Sequence, residues 1–209
     1  RQRNEFLKII NINKESDMNY LDILNDKYIG LSIVIYNFRR KYVDLVNKYI
    51  DDIFSSITGL EGLKMIYTSN VSNLDNDMFK DKLKSNLSRE IQYKITFIGP
   101  NRDDFYFDLN GKNLSLYGSN GQIRSAVLAL KLAEVKLFTD VLSDTPILLL
   151  DDIFSELDID KRNKVIKYLD NDIQTIVTTT DIENIDKNVR NKANVYKIEN
   201  GKIISREII

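Results

Sequence analysis

The chain has 209 residues, 43% of them hydrophobic, and a formal net charge of −1 at pH 7. This is enough apolar sequence for a core in one or two domains, and the near-neutral charge excludes a protein that is strongly basic over its whole surface. The absence of cysteine excludes disulfides and thiolate metal sites, and the absence of histidine excludes histidine acid–base catalysis and most zinc chemistry.

The amino-terminal part of the chain is predicted to form a long helix. Its apolar residues recur at alternating intervals of three and four, a pattern typical of a helix that packs along one seam. These residues are Leu21, Leu24, Tyr28, Leu31, Ile35, Phe38, Tyr42, Leu45 and Tyr49. Ile53 and Ile57 extend the pattern and Gly59 is a stop signal, so we expect one helix from about residue 17 to residue 57.

A strand and a second helix complete a predicted helical lobe. Residues 61–69 have the composition of a strand, and residues 75–92 place Phe79, Leu83 and Leu87 on one helical face. We therefore expect a mainly helical lobe over residues 1–95 and a second domain over residues 96–209. Two basic groups, Arg39-Arg40-Lys41 and the run Lys80, Lys82, Lys84, Arg89 and Lys94, are interspersed with acids. This favours solvated helix faces, with local DNA-binding patches as the alternative.

A hairpin and a glycine-containing turn come next. Tyr106–Leu109 and Asn113–Tyr117 flank Asn110-Gly111, a dipeptide that favours a two-residue hairpin turn. The stretch Tyr117–Gln122 then leads directly into about twenty residues of helical periodicity. Ser119 is a candidate helix cap, and the glycines would let backbone N–H groups approach an anion. The alternatives are therefore an anion site and an ordinary capped helix.

The most informative strand ends in two acids. The apolar run Ile147–Leu150 precedes Asp151 and Asp152, a pattern typical of a buried parallel strand that delivers carboxylates to the carboxyl edge of a sheet. An acid at that edge is the usual partner of a nucleotide's magnesium. A helix over residues 160–169, a strand over 174–178 and a hairpin around Asn200-Gly201 are predicted to follow. The fold class is therefore α/β with mixed elements and a parallel sheet.

Several of these stretches together resemble the RecF family of ABC-type ATPases. The family pattern contains Gly-Pro-His-Arg-Asp-Asp, then a Ser-x-Gly-Gln turn before a Leu-Lys-Leu-Ala-Glu helix, then Leu-Leu-Leu-Asp-Asp with Ser-Glu-Leu-Asp. The matching stretches here are Gly99–Asp104, Ser119–Gln122, Leu130–Glu134, Leu148–Asp158 and Gln174–Asp181. The resemblance implies an ABC-ATPase-like half-domain beside the helical lobe. The sequence departs from the family at Asn101, where the family usually has His.

One essential part of an ATP site is missing from the sequence. A phosphate-binding loop needs Gly, four residues, and then Gly-Lys-Ser or Gly-Lys-Thr. Only Gly111 and Gly201 precede a lysine, and neither fits that spacing. In the RecF family this loop lies near the amino terminus. We therefore expect the chain to be a carboxyl-terminal portion of a longer protein and to be inactive as an ATPase on its own.

The resemblance implies a role for each acid and hydroxyl of the second domain. Asp151 is implied to hold Mg²⁺, through water, and Asp152 to be the base that orients the attacking water. Asp152 is one methylene shorter than the usual Glu, which implies slow turnover. Thr178-Thr179-Thr180 lies where most ABC ATPases have a His that senses the γ-phosphate, and we expect Thr179 to take that role.

Three further groups of residues receive roles from the same resemblance. The signature turn, implied to contact ATP held by the opposite subunit, consists of Ser119, Asn120, Gly121 and Gln122. The D-loop, implied to follow the dimer interface, consists of Ser155, Glu156, Leu157 and Asp158. A structural or DNA-related role is implied for Arg102, Asp103 and Asp104.

The function that the resemblance implies is ATP-dependent DNA binding in recombinational repair and replication. Members of the family act at single-strand gaps and junctions and help to load the recombinase with RecO and RecR. The implied cofactors are ATP and Mg²⁺, and the implied assembly is an ATP-dependent homodimer. With no apolar run near ~18 residues, we expect no membrane partner. The resemblance implies a cytoplasmic, nucleoid-associated protein. The alternatives are another chromosome-associated ABC ATPase, of the Rad50 or SMC kind, and a non-catalytic dimerisation or docking module.

Overall fold

The computed structural model describes residues 1–142, 145–152, 157, 159–168, 173–180, 182, 185, 190–191 and 193–207. Contacts group the chain into two units, Arg1–Lys48 with Lys64–Asp108 and Tyr49–Leu63 with Leu109–Ile209. The domain division at residue 95 stays a prediction. Within the described ranges, no helix is long and apolar enough to cross a membrane.

Helices predominate among the elements. In chain order the helices are α1 (Gln2–Phe6), α2 (Glu15–Val46), α3 (Ile50–Thr58), α4 (Asn76–Tyr93), α5 (Leu114–Tyr117), α6 (Asn120–Leu142) and α7 (Ile159–Tyr168), with a 3₁₀ turn at Pro100–Arg102. The strands are β1 (Leu63–Thr68), β2 (Asp104–Leu109), β3 (Lys112–Asn113), β4 (Leu148–Leu150), β5 (Thr175–Val177), β6 (Val195–Glu199) and β7 (Lys202–Glu207). The predicted α/β class with a parallel sheet is confirmed.

The first unit packs α2 against α1 and α4. Its apolar core contains Ile29 from α2, Phe79 and Leu83 from α4, and Val71 and Ile98 from the connecting segments. Phe79 and Leu83 are on the face that the sequence predicted to be buried. Asp75 caps α4, since its carboxylate accepts the N–H of Met78 at 2.8 Å.

The predicted helix from residue 17 to residue 57 is wrong in its continuity. Helix α2 ends at Val46 and α3 begins at Ile50, three residues before the predicted extension at Ile53. The side chain of Asn47 pairs with the backbone of Met65 in β1, donating to its carbonyl at 2.9 Å and accepting its N–H at 2.8 Å. This pairing lies directly at the break in the helix. The predicted stop is confirmed, because Gly59 closes α3 with a left-handed φ of 76°.

The predicted seam is also wrong in the middle of α2. Leu21 and Leu24 are buried, but Leu31 is 56% exposed and Phe38 71% exposed. The buried side of the helix continues instead through Asn25, Ile29, Ser32, Val43 and Val46. A strict heptad repeat drifts by roughly 20° per heptad relative to a straight helix of 3.6 residues per turn. The seam therefore turns progressively away from the packed face along α2.

An ion pair that the sequence did not predict is buried in the first unit. Arg3 of α1 contacts Glu90 of α4 at 2.6 Å, and their side chains are 4% and 0% exposed. The same guanidinium donates to Asn25 Oδ1 at 2.8 Å and to Thr96 Oγ1 at 2.5 Å. Burial of this pair is tolerated because all three guanidinium nitrogens of Arg3 donate and both carboxylate oxygens of Glu90 accept hydrogen bonds. A sequence signal exists, since Glu90 lies seven residues after Leu83 on the apolar face of α4.

The second unit packs α3 against α6 and α7. The four apolar side chains of α3, Ile50, Ile53, Phe54 and Ile57, are fully buried. Helix α6 confirms the predicted helix after the glycine-containing turn, and it presents small residues such as Ala126, Ala129 and Ala133 to the interior. Helix α7 confirms the helix predicted after the two acids.

Both predicted hairpin turns are present. Asn110 and Gly111 have φ of 52° and 81°, and Asn200 and Gly201 have φ of 50° and 74°, as a two-residue turn of this type requires. Strands β6 and β7 are antiparallel, with Glu199 opposite Lys202. The strand predicted at Asn113–Tyr117 is wrong, because Asn113 Oδ1 accepts the N–H of Ser115 at 2.9 Å and begins α5.

Candidate functional site

The two predicted acids lie at the carboxyl end of a parallel strand. Strands β4 and β5 pair in parallel, with Leu148 opposite Thr175 and Leu150 opposite Val177. Leu148 and Leu150 are buried while Leu149 between them is exposed, the alternation expected of a strand with one covered face. The ladder continues one residue further, because the N–H of Thr178 donates to the carbonyl of Leu150 at 3.0 Å. Asp151 therefore lies next to Thr178.

One hydroxyl joins both acids. Thr178 Oγ1 donates to Asp151 Oδ1 at 2.5 Å and accepts the backbone N–H of Asp152 at 2.9 Å. Asp152 has a φ of 49°, a left-handed conformation that non-glycine residues adopt rarely. The bond from its N–H to Thr178 supports this conformation. Thr178 makes these contacts, and the sensor role expected of Thr179 stays a prediction.

The donor set at Asp151 fits a magnesium ion that is completed by a nucleotide. Asp151 is exposed, and its Oδ2 makes no hydrogen bond with any residue that the structure describes. Over the same residues, no group of three or more acids could hold a metal by itself. Magnesium in nucleotide sites uses one or two carboxylates and takes its other ligands from water and phosphate oxygens. Asp151 can supply the protein's share of such a site.

The signature turn is a capping box. Ser119 Oγ accepts the N–H of Gln122 at 3.2 Å, and Gln122 Oε1 accepts the N–H of Ser119 at 2.9 Å. The predicted cap at Ser119 is confirmed. The N–H groups of Asn120 and Gly121 have no acceptor among the described residues, and both residues are exposed. The capped helix therefore still offers two N–H donors at its positive end, and a helix cap and an anion site are compatible in this turn.

The two glycines of the turn, Gly118 and Gly121, differ in whether a side chain could be accommodated at their position. A Cβ on Gly118 would lie 2.6 Å from the carbonyl oxygen of Leu114, so the close approach of the backbone to α5 requires glycine there. A Cβ on Gly121 would meet nothing nearer than Ser119 Oγ at 4.0 Å. Gly121 is therefore not needed for packing, and its open side leaves room for a ligand.

Only part of the predicted D-loop is described. Leu157 is buried, and its carbonyl accepts Arg162 Nε at 2.8 Å. Ser155, Glu156 and Asp158 lie outside the described residues. Their role at a dimer interface stays a prediction.

The Gly99–Asp104 motif belongs to the first unit and is built into its packing. Gly99 has a φ of 117°, and a Cβ there would lie 2.1 Å from the hydroxyl oxygen of Tyr28. That hydroxyl lies 2.7 Å from Asn101 Oδ1, while Asn101 Nδ2 donates to the carbonyl of Thr96 at 3.1 Å. Asn101 thus uses both the oxygen and the nitrogen of its amide.

Asp103 is a buried structural acid. Its side chain is 2% exposed, and Oδ2 accepts from Arg39 at 3.0 Å and from the hydroxyl of Tyr67. Burial, and then the bond to Asp103, raise the pKa of Tyr67 to about 12 because both disfavour the phenolate. These contacts tie the motif to α2 and β1. Asp104, in contrast, is exposed, and its carboxylate accepts the N–H of the neighbouring Phe105 at 2.8 Å.

Arg102 projects from the 3₁₀ turn towards an aromatic ring. Its guanidinium carbon lies 5.1 Å from the centroid of Phe97, and its Nε donates to the carbonyl of Thr96 at 3.4 Å. The structure brings Asp151, Asp152 and Thr178 together in the second unit, whereas Arg102, Asp103 and Asp104 belong to the first.

Comparison with known proteins identifies relatives of the chain. No protein-family profile matches it. The DNA replication and repair protein RecF of Lachnospira eligens is 37% identical over 206 residues, and that of a Geobacillus species is 36% identical over 211. These alignments cover 98% and 97% of this chain but 56% of each relative. The chain therefore spans a little over half the length of the curated relatives that it matches.

Solved structures agree with the sequence relatives. The structure of the recombination mediator protein RecF with ATP, from the RecFOR pathway, matches with a TM-score of 0.79 and 27% identity over 99% of this chain and 55% of that one. A second RecF structure, titled RecF-ATPrS, matches with a TM-score of 0.78 at the same 27% identity, over 97% of this chain and 54% of that one. Together with the Asp151–Asp152 edge and the signature turn, these similarities show that the chain belongs to the RecF family.

Proposed function

We propose that the chain is part of an ATP-dependent DNA-binding protein of DNA repair and replication. The observation that carries this proposal is the Thr178 hydroxyl, which joins both acids at the carboxyl edge of a parallel sheet. Nucleotides bind at such edges in α/β proteins. The names of the relatives, DNA replication and repair proteins, and the ATP complex of a structural neighbour support the same function.

The proposed reaction is slow ATP hydrolysis. Asp151 holds Mg²⁺, and Asp152 accepts a hydrogen bond from the attacking water and orients it. Bound Mg²⁺ would supply charge neutralisation to the triphosphate. Since the 209 residues contain no Gly-Lys-Ser or Gly-Lys-Thr loop, we propose that the loop lies in sequence outside them. The 56% coverage of the relatives leaves room for such a segment.

The signature turn acts between two copies in this proposal. The N–H groups of Asn120 and Gly121 approach the γ-phosphate of ATP held by the second copy, and the open side of Gly121 allows the approach. ATP thus closes a homodimer. The D-loop residues Ser155–Asp158 follow the interface, and Thr179 contributes to sensing the γ-phosphate.

The proposed biological substrate is DNA with single-strand gaps or junctions. One neighbouring structure is described as a recombination mediator of the RecFOR pathway, which supports RecO and RecR as partners in loading a recombinase. The near-neutral charge of the chain means that DNA contacts come from local patches.

A substitution in the signature turn tests the function. In the full-length protein, Ser119→Arg adds bulk and an unpaired cation where two copies meet, while each copy's phosphate loop stays intact. ATP binding should persist, but ATP-dependent dimerisation and ATP-stimulated binding of gapped DNA should fail together. Size-exclusion chromatography and fluorescence anisotropy with labelled gapped DNA, each with and without ATP, measure these effects.

The matched control is Ser16→Arg, which adds the same charge to an exposed position at the start of α2. It should behave as wild type in both assays. Unchanged ATP stimulation in Ser119→Arg would contradict the proposal and leave the turn as a helix cap only.

A further inference from the structure

Two arginines from separate elements converge on one aromatic ring in the first unit. The guanidinium carbon of Arg89, in α4, lies 4.2 Å from the centroid of Phe97, and that of Arg102 lies 5.1 Å from the same centroid. Both arginines are exposed, and neither has an ion pair among the described residues. Guanidinium groups packed on a ring in this way are restricted in orientation before any ligand arrives.

The ring itself is held in place. The N–H of Phe97 donates to Glu90 Oε1 at 2.7 Å, and its carbonyl accepts from Asn70 Nδ2 at 3.0 Å. Arg102 is further fixed by the bond from its Nε to the carbonyl of Thr96. The two charges are therefore presented by a rigid support rather than by free side chains.

The acids closest in sequence do not neutralise this pair. Glu90 is fully buried and bonded to Arg3, and Asp103 is buried and bonded to Arg39. Asp104 is exposed but makes no ion pair with Arg102. The surface therefore keeps two positive charges, and the exposed Lys94 at the end of α4 adds a third nearby in sequence.

The geometry matches a polyanion with closely spaced charges. Because both guanidinium carbons are measured from one centroid, they are at most about 9 Å apart. A DNA strand has one phosphate per ~3.4 Å of helix axis, so two guanidinium groups within this limit can contact neighbouring phosphates of one strand. Tyr93, which is 58% exposed and packs edge-on against Phe97 at 5.7 Å, adds an aromatic face beside the charges.

We propose that Arg89 and Arg102, held against Phe97, form a binding site for the phosphodiester backbone of DNA. The site reads no base sequence, since guanidinium–phosphate contacts position a duplex without specifying it. It is present without ATP, because both arginines are already in place in the structure. This inference rests on the proposed DNA-binding function and assigns part of that binding to the first unit.

The test measures affinity for a labelled gapped DNA by fluorescence anisotropy at several salt concentrations, using the full-length protein. A plot of log affinity against log salt concentration has a slope of about −0.9 for each phosphate contact. Loss of one contact should therefore make the slope shallower by about 0.9 and lower the affinity roughly eightfold at 0.1 M salt. Arg89→Gln and Arg102→Gln should each show this loss, and the double variant about the product of the two. The losses should be equal with and without ATP and equal for DNA of unrelated sequence.

The matched control is Lys84→Gln, which removes one exposed charge from another face of α4. Its affinity and salt slope should stay those of wild type. Arg89→Lys keeps the charge but loses the planar group that packs on Phe97, so an intermediate loss is expected. Arg89 makes no hydrogen bond among the described residues, so Arg89→Gln should not destabilise the fold. This variant therefore tests the phosphate site even if urea titration shows that Arg102→Gln has lost stability.

The outcomes separate this inference from the proposed function. Wild type that binds gapped DNA, with Arg89→Gln indistinguishable from Lys84→Gln, would overturn the phosphate site and leave the function intact. Wild type that does not bind DNA at all would overturn the function and the site with it.

Discussion

Thr178 has the most direct influence on the two acids at the sheet edge. Its hydroxyl restrains the carboxylate of Asp151 and supports the left-handed backbone of Asp152. A hydrogen bond to a charged group contributes about 1.5–3 kcal/mol. If Asp151 and Asp152 have the proposed roles, removal of this one hydroxyl should affect magnesium binding and water positioning at the same time.

Thr178→Val in the full-length protein should reduce kcat about ten- to one-hundredfold and weaken ATP binding more at low than at high Mg²⁺. Thr178→Ser retains the hydroxyl and should restore both quantities. ATP titrations at several Mg²⁺ concentrations, together with steady-state hydrolysis, provide the measurement. Thr180→Val, at an exposed position, is the control, and equal effects in the two valine variants would contradict the special role of Thr178.

Tyr67 gives the first unit a characteristic dependence on pH. Its hydroxyl donates to buried Asp103, so Tyr67→Phe should lower the free energy of unfolding by about 1.5–3 kcal/mol at neutral pH. The pKa of Tyr67 is raised to about 12, so the folded state keeps the proton where the unfolded state, with a pKa near 10, loses it. Stability from this group is full below pH 10 and is lost as the pH rises towards 12. Urea titrations at pH 7, 9 and 11 should show the gap between wild type and Tyr67→Phe narrowing, and a constant gap would contradict the raised pKa.

The sequence predicts the acids but not the residue that joins them. Asp151 and Asp152 follow an apolar run, and the end of such a run identifies the sheet edge. Three consecutive threonines follow the next strand, and their order alone does not say which one remains in the ladder. In the structure, the N–H of Thr178 donates to the carbonyl of Leu150, so Thr178 is the threonine that continues the strand pairing past β5. Likewise, nothing local to Arg3 indicates that it is buried with Glu90.

At the level of elements, the spacing of apolar residues predicts where helices and strands lie, but it does not predict where a helix is broken. The bounds of α4, α6, α7 and the β6–β7 hairpin agree with the sequence pattern, because each is defined by its own residues. The break between α2 and α3 coincides with the pairing of Asn47 with Met65, eighteen residues away. Such a long-range bond between a side chain and the backbone leaves no periodic signal.

Asn47→Ala tests whether this pairing stabilises the first unit. The substitution removes two hydrogen bonds and leaves the N–H and carbonyl of Met65 without that partner, so a loss of about 1–3 kcal/mol is expected. Asn37→Ala, on the exposed side of α2, should be neutral or slightly stabilising because alanine favours helix. Urea titration followed by circular dichroism compares the two. Equal stabilities would mean that the break is set by other contacts.

At the scale of the whole molecule, the proposed site is incomplete within the 209 residues. The chain on its own should show no measurable ATP binding by calorimetry, because the loop that surrounds the triphosphate provides the main contacts. The full-length protein, titrated in parallel, should bind. Micromolar affinity in the isolated chain would contradict the proposed division of the site. Loss of ATP binding in both would favour the alternative of a non-catalytic docking module.

The grouping of α3 with the second unit affects how the protein can be divided into fragments. A fragment that starts at residue 96 would lack α3, and the apolar surfaces of α6 and α7 that it covers would face water, a condition that favours aggregation. The chain itself suggests a better cut. The N–H of Asn110 lies 3.4 Å from the carbonyl oxygen of Gly62, so residues 62 and 110 are neighbours in space. A short linker from residue 63 to residue 109, the positions next to this pair in sequence, would bypass residues 64–108 and yield the second unit as one continuous polypeptide that keeps the buried Leu63.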